Sequence, residues 1–354
     1  MPKARITRLA RWLGPWTPDT RVPPAVQATD AEVAGPPGRG PIRVRTWTGR
    51  AVRAPLILWP GLHYAGPDDP RMDRFARVLA AAGYRVQAPF MPDFLDLMLR
   101  PTLVDDALAV FDALVADPEA PAGKPGMLSI SFGSLLALRV AAARPDQVGE
   151  VLIFGGYAEW DAAMRFSLTG GEGVPHDPLN HPVSFMNLVD HLPGAPPDPA
   201  PLLGAWRQYV EATWGRPEMK APDAWPPVVR AVAETLDPAL QPLFLRGCGL
   251  APGALALIEE ALRRAGGRAF LDPRPHLHTL TTRVHLVHGM DDDVIPYTQA
   301  AVLEAALPPG THAGTWITGL YGHTGHAARG PGALFRELGA MLHILRALAG
   351  LATP

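Results

Sequence analysis

The chain is poor in cysteine, in long apolar runs and in any surplus of charge. One cysteine, Cys248, stands among 354 residues, so no intrachain disulfide can form and a reducing, cytoplasmic setting is expected. No cysteine-enzyme signature surrounds Cys248, which reads as a packing residue. No apolar stretch reaches the roughly 18 residues that span a bilayer. The 32 basic and 34 acidic residues give a formal net charge of −2, which argues against nucleic acid or an acidic polymer as partner and favours a small, near-neutral molecule. A G-x-x-x-x-G-K-[ST] phosphate loop is missing, and Ser131-Phe132-Gly133-Ser134 lacks the lysine of S-x-x-K enzymes, so phosphoryl transfer and β-lactam chemistry have no support. The pairs His176 with His181 and His276 with His278 come without a matching cysteine or carboxylate pattern and read as idle residues of proline-rich surface loops. Neither a metal nor another cofactor is expected.

Residues 1–16, MPKARITRLARWLGPW, put Ile6, Leu9, Leu13 and Trp16 on one helical face, with Arg5 at its edge and Lys3, Arg8 and Arg11 beyond it. Charge breaks this segment too often for a secretion signal. A basic amphipathic helix can lie on an anionic membrane surface, so weak membrane contact is the alternative to the preferred reading, a helix docked on its own domain. Residues 17–40 are rich in Pro, Gly and Asp and read as an irregular arm, which completes an N-terminal region of residues 1–40.

From there the pattern becomes regular. Ile42 to Trp47 alternates apolar and polar residues, as a half-buried antiparallel strand does, and Pro55 to Trp59 is a continuous apolar run suited to a sheet covered on both faces. Asp69-Pro70 predicts a helix cap and a first-turn proline, with Met72, Phe75, Leu79 and Ala82 at helical spacing behind it. Strands over 84–88, 127–130 and 151–154 alternate with helices marked by Val104, Leu108, Phe111 and Val115 and by Leu135, Leu138 and Ala142. The same alternation resumes with a strand over 284–287, a helix over 299–307, a strand over 314–317 and a closing helix through Leu334, Leu338, Met341 and Leu345. Sequential βαβ units predict a mostly parallel sheet flanked by helices, an α/β class over residues 41–159 and 281–354. Between them, residues 160–280 carry helical spacings at Leu203, Trp206, Val210 and Trp214, at Val229, Val232 and Leu236, and at Leu255, Ile258 and Leu262. No strand of comparable strength is predicted there, so this stretch reads as an inserted, mostly helical cap.

Ser129-Ile130-Ser131-Phe132-Gly133 sets a serine between a predicted strand and a predicted helix, with small residues two before and two after it. A turn tight enough to project a side chain brings neighbouring chains so close that bulky flanks would collide. The helix also aims unpaired N–H groups at its own start, where a developing oxyanion can be stabilised.

On these residues the chain resembles the α/β-hydrolase superfamily, in its serine-hydrolase form with an inserted cap. The family elbow is G-x-S-x-G, and Ser129 stands in the place of its first glycine. The resemblance implies Ser131 as nucleophile and the chain order serine, acid, histidine. His288-Gly289-Met290-Asp291-Asp292-Asp293-Val294-Ile295-Pro296 is similar to the family's G-x-x-D-x-x-V-P turn, which implies Asp292 as the acid. Asp291 and Asp293 are its rivals, and one of them is an alternative cap for the following helix. Gly322-His323 implies His323 as the base, with His326 as rival. Trp59-Pro60-Gly61-Leu62-His63 occupies the place of the family's His-Gly-x turn, which implies the backbone N–H groups of Leu62 and Phe132 as the oxyanion hole. The implied activity is cofactor-free cleavage of an ester, thioester or related acyl bond. A catalytically inactive binding or scaffold protein, an acyltransferase and a cofactor-free haloperoxidase-like enzyme are the alternatives. Trp160, Trp206, Trp214 and Trp225 either roof a pocket for a lipophilic acyl substrate or form the core of the cap.

Overall fold

The computed structural model describes residues 2–13, 20–171, 173–266, 268–319 and 331–352. Among the described residues, eight strands form one sheet in the order β1-β2-β4-β3-β5-β6-β7-β8. They are β1 Gln27–Val33, β2 Ile42–Thr48, β3 Ala54–Trp59, β4 Tyr84–Pro89, β5 Gly126–Ile130, β6 Val151–Phe154, β7 Val284–Gly289 and β8 His312–Thr318. The pairs β1·β2 and β2·β4 are antiparallel, and every other neighbouring pair is parallel. All six residues of β3 are buried, as a central parallel strand requires when helices cover both its faces.

Crossover helices α2 (Pro70–Ala81), α4 (Leu103–Val115) and α5 (Gly133–Ala143) connect the central strands, with the single turn α3 (Pro92–Leu95) after β4. The start of α2 follows its sequence signal. Asp69 accepts hydrogen bonds from the N–H groups of Arg71 and Met72, and Pro70 takes the first helical position, where no N–H is needed. Helix α1 (Pro2–Leu13) packs on α2 and on the last helix of the chain, Pro331–Gly350. Leu9 is fully buried there, and the Arg5 guanidinium donates to the Tyr84 hydroxyl at 3.0 Å and to the Ala349 carbonyl at 2.8 Å. Trp16 lies outside the described residues. Among the described residues no helix is long and apolar enough to cross a membrane.

The arm corrects the sequence reading, because Gln27–Val33 is an edge strand rather than irregular chain. Six of its seven residues are exposed, so it carries no apolar period. Its backbone ladder with β2 and the pairing of Asp30 with Arg45 at 2.7 Å hold it. Arg39 fixes the end of the arm on the fully buried carboxylate of Asp106 and on Asp93.

Between β6 and β7 the chain is helical: α6 (Trp160–Thr169), α7 (His181–Leu188), α8 (Ala200–Thr213), α9 (Trp225–Ala233), α10 (Gln241–Gly247) and α11 (Ala254–Arg264), joined by short 3-10 turns. Among its described residues the only β pairing is an isolated bridge between Gly171 and Val174. The helices α6, α7 and α10 were not foreseen, since proline and polar residues interrupt their apolar spacing. This segment leans on the sheet domain through Asn187, whose amide accepts the Leu99 N–H at 2.7 Å and donates to the Leu97 carbonyl at 2.9 Å. After β7, α12 (Gln299–Ala306) precedes β8, and the helix Pro331–Gly350, α13, closes the chain.

Candidate active site

Ser131 is one of three described non-glycine residues in the left-handed region, at φ 52°, on the step from β5 to α5. That conformation costs an ordinary residue about 1–2 kcal/mol, and the surrounding backbone imposes it. The Ser131 N–H donates to the Phe154 carbonyl at 2.8 Å, and the Ser131 carbonyl accepts the Ser134 N–H at 3.0 Å. The turn after β3 presses on the same step. A Cβ on Gly61 would lie 3.3 Å from the Ile130 carbonyl oxygen and 3.4 Å from Ser131 Cβ. One on Gly133 would lie 2.4 Å from the Pro60 carbonyl oxygen. The two stretches that carry Leu62 and Phe132 therefore touch through their backbones, and both side chains are buried. Ser129 is fully buried between Trp59 and Ile153 in the ladder, where its hydroxymethyl group fits in place of a glycine.

Asp292 lies in the loop after β7. Its Oδ1 accepts the N–H groups of Val294 and Ile295 at 2.9 and 3.0 Å, so the residue closes its own turn. Its Oδ2 stands 3.4 Å from His288 Nε2, and a Cβ on Gly155 would sit 3.3 Å from that oxygen. Gly155, at φ 62°, follows β6, the strand between β5 and β7, so the Asp292 carboxylate lies over the exit of β6, on the way from β7 to Ser131. Burial pushes its pKa up, but the hydrogen bond and charge of His288, together with the Ile295 and Val294 N–H groups, outweigh burial and leave it below the ordinary carboxylate value. Sequence reasoning missed His288 and Gly155, because neither is set apart from its neighbours except by what lies across the sheet.

Asp293 is buried and pairs with Lys220, which comes from the helical segment. The N-cap of α12 is Thr298, without a side-chain hydrogen bond, so neither flanking aspartate fills that role.

His323 and His326 lie outside the described residues. Strand β8 is registered on β7, with Gly289 opposite Thr318. Glu337 of α13 then fixes the exit of β8, accepting from the Thr318 hydroxyl at 2.7 Å and from the Gly319 N–H at 3.1 Å.

Two contacts of the helical segment adjoin the turns that carry Asp292 and Leu62. One is Lys220 on Asp293. The other is Trp214, whose ring centroid lies 5.5 Å from that of His63, just beyond the turn after β3. Trp214 Nε1 donates to the Leu179 carbonyl at 2.8 Å. Trp206, by contrast, is core: it is fully buried, and its Nε1 donates to the Phe244 carbonyl. His181 corrects the sequence reading of an idle loop residue. It opens α7, is buried, and stacks on His176 with ring centroids 5.2 Å apart. Cys248 is a free, buried thiol.

No protein-family model matches this sequence, and neither does any curated protein. Solved structures do. The chain is similar to the acylaminoacyl peptidase of Pyrococcus horikoshii, at 12% identity and a TM-score of 0.50 over 94% of this chain and 42% of the peptidase, so it spans about two fifths of that protein's length. It is also similar to an esterase of Pyrobaculum calidifontis, at 16% identity and a TM-score of 0.48 over 98% of this chain and 91% of the esterase. A cold-adapted esterase from an Arctic intertidal metagenomic library matches at 10% identity and a TM-score of 0.44 over 92% of this chain and 96% of that one.

Proposed function

From the premise that the chain has the α/β-hydrolase fold, we propose that it is a serine hydrolase cleaving an ester, thioester or related acyl bond of a small molecule. The observation that carries this reading is the left-handed backbone of Ser131 at the β5–α5 step. A strained serine at the carboxyl end of a central strand presents its hydroxyl where packing alone asks for nothing.

In this reading His323 takes the proton of Ser131 as its Oγ attacks the acyl carbon, and Asp292 stabilises the imidazolium. The N–H groups of Leu62 and Phe132 receive the oxyanion. His323 then protonates the leaving alcohol or thiol, and water attacks the acyl-enzyme to free Ser131. The register of Gly289 with Thr318 supports the pairing of acid and base, because both loops leave adjacent strands at one level. The contacts of Trp214 with His63 and of Lys220 with Asp293 support the helical segment as a cap over the site, offering a partly apolar wall to the acyl chain. The single buried Cys248 fits a reducing, cytoplasmic setting.

A fluorophosphonate probe and a graded series of p-nitrophenyl esters test the proposal. Wild type is expected to be labelled at Ser131 and to hydrolyse the esters, and Ser131→Ala to do neither. Labelling that persists in Ser131→Ala moves the nucleophile elsewhere, and an unlabelled, inactive wild type ends the hydrolase reading.

A further inference from the structure

Lys220 ends the 3-10 turn Pro217–Lys220, between α8 and α9. Its ammonium lies 3.1 Å from Asp177 Oδ2 and in hydrogen-bond contact with Asp293 Oδ2. Both aspartate side chains are about nine-tenths buried, at 7% and 8% exposure. Each end of the bridge is fixed independently. Asp177 is held because its Oδ1 accepts the Leu179 N–H at 3.0 Å. Asp293 is held because it sits inside the turn that Asp292 closes on Val294 and Ile295. A buried carboxylate is tolerated where a cation meets it, and removing that cation is strongly destabilising. Burial acts to lower the Lys220 pKa, but the two carboxylates outweigh it and raise it, so the ammonium stays charged.

We infer that Lys220 is a positioning residue: by bridging Asp177 of the helical segment to Asp293, it pins the turn after β7 and so aims the remaining carboxylate oxygen of Asp292. This role rests on the serine-hydrolase reading, and it makes the aim of the acid depend on how the helical segment is seated. Lys220 acts through Asp293 and Asp292 and need not touch substrate. A displacement of about 1 Å at a catalytic group can cost about 100-fold in rate.

The test compares Lys220→Met, Lys220→Arg, Asp293→Asn and the double variant K220M/D293N. With a p-nitrophenyl ester, Lys220→Met is expected to lower kcat about 10- to 100-fold and to leave KM within about threefold. Lys220→Arg should recover most of the loss. Asp293→Asn should resemble Lys220→Met, and the double variant should be no worse than either single one, as for two groups acting through one contact. Hydrogen exchange over residues 289–298 gives a readout free of catalysis: the Val294 and Ile295 amides, which Asp292 binds, should exchange at least tenfold faster in Lys220→Met and return toward wild type in Lys220→Arg. Unchanged exchange and kcat in Lys220→Met, beside a wild type that labels at Ser131, overturn the inference alone. A wild type that fails to label overturns the hydrolase reading, and faster exchange in Lys220→Met then still upholds the hold of Lys220 on the turn. Additive losses in the double variant overturn the inference, because Lys220 would then act elsewhere.

Discussion

Gly133 and Pro60 meet backbone to backbone: the Cβ that Gly133 lacks would stand 2.4 Å from the Pro60 carbonyl oxygen and 2.9 Å from that of Trp59. No rotamer change relieves such a contact, because both obstacles are main chain. Gly133→Ala is therefore expected to push the turn after β3 away from the β5–α5 step. The stability loss should be about 1–3 kcal/mol, the scale of an overpacked core, and Ser131 should react with a fluorophosphonate at least tenfold more slowly. Urea titration and labelling kinetics on the same preparation check both. A variant that folds as well as wild type and labels at the wild-type rate would show that the contact does not set the site.

The strain at Ser131 can be read apart from its chemistry. Ser131→Ala keeps a Cβ at φ 52°, whereas Ser131→Gly removes it and adopts that backbone without penalty. Both variants should lose all labelling. Ser131→Gly should nevertheless be more stable than Ser131→Ala by about 1 kcal/mol, the reverse of the usual order of these residues in a helix or strand. Chemical denaturation of the pair measures the difference. A glycine variant less stable than the alanine variant would mean that the backbone is not held left-handed.

The parts of the fold visible in the sequence were those whose signal is local. β3 shows as an unbroken apolar run because both its faces are covered, and α2 shows because Asp69 and Pro70 carry out capping within two residues of each other. β1 escaped because its side chains are exposed and its stability comes from a ladder with β2 and from Asp30 on Arg45 and Arg43. The serine of the candidate site was legible from its small neighbours, which follow from the buried seat of Ser129 in the ladder and the backbone contact at Gly133. The bridge from Lys220 to Asp293 was not. These residues stand 73 apart in the chain, and nothing about either one alone distinguishes a buried partner from a solvated charge.

The assignment of the acid and the base separates by substitution. Asp292→Asn keeps the turn acceptor for Val294 and Ile295 but loses the charge, and kcat is expected to fall about 10^4-fold, the order seen when a triad carboxylate is neutralised. His323→Ala should cost at least as much, while His326→Ala should stay within about tenfold of wild type. Steady-state rates on one p-nitrophenyl ester decide it. Interchanged losses for the two histidine variants would give the base to His326, and a fully active Asp292→Asn would give the acid to another residue.

His181 makes the helical segment sensitive to acid. Burial, with His176 acting in the same sense, lowers its pKa from 6.5 to about 4, so the folded chain holds it neutral where the unfolded chain protonates it. In that interval the unfolded state binds the extra proton, so stability rises with pH. The contribution is fully present above about pH 6.5 and is lost as the pH falls toward about 4. A shift of this size corresponds to about 3 kcal/mol. His181→Phe removes the titrating group and keeps an aromatic ring against His176. The variant is expected to show a flatter stability profile between about pH 6.5 and 4 than wild type, measured by urea titration at a series of pH values. Parallel profiles would assign the acid sensitivity of the chain to its carboxylates instead.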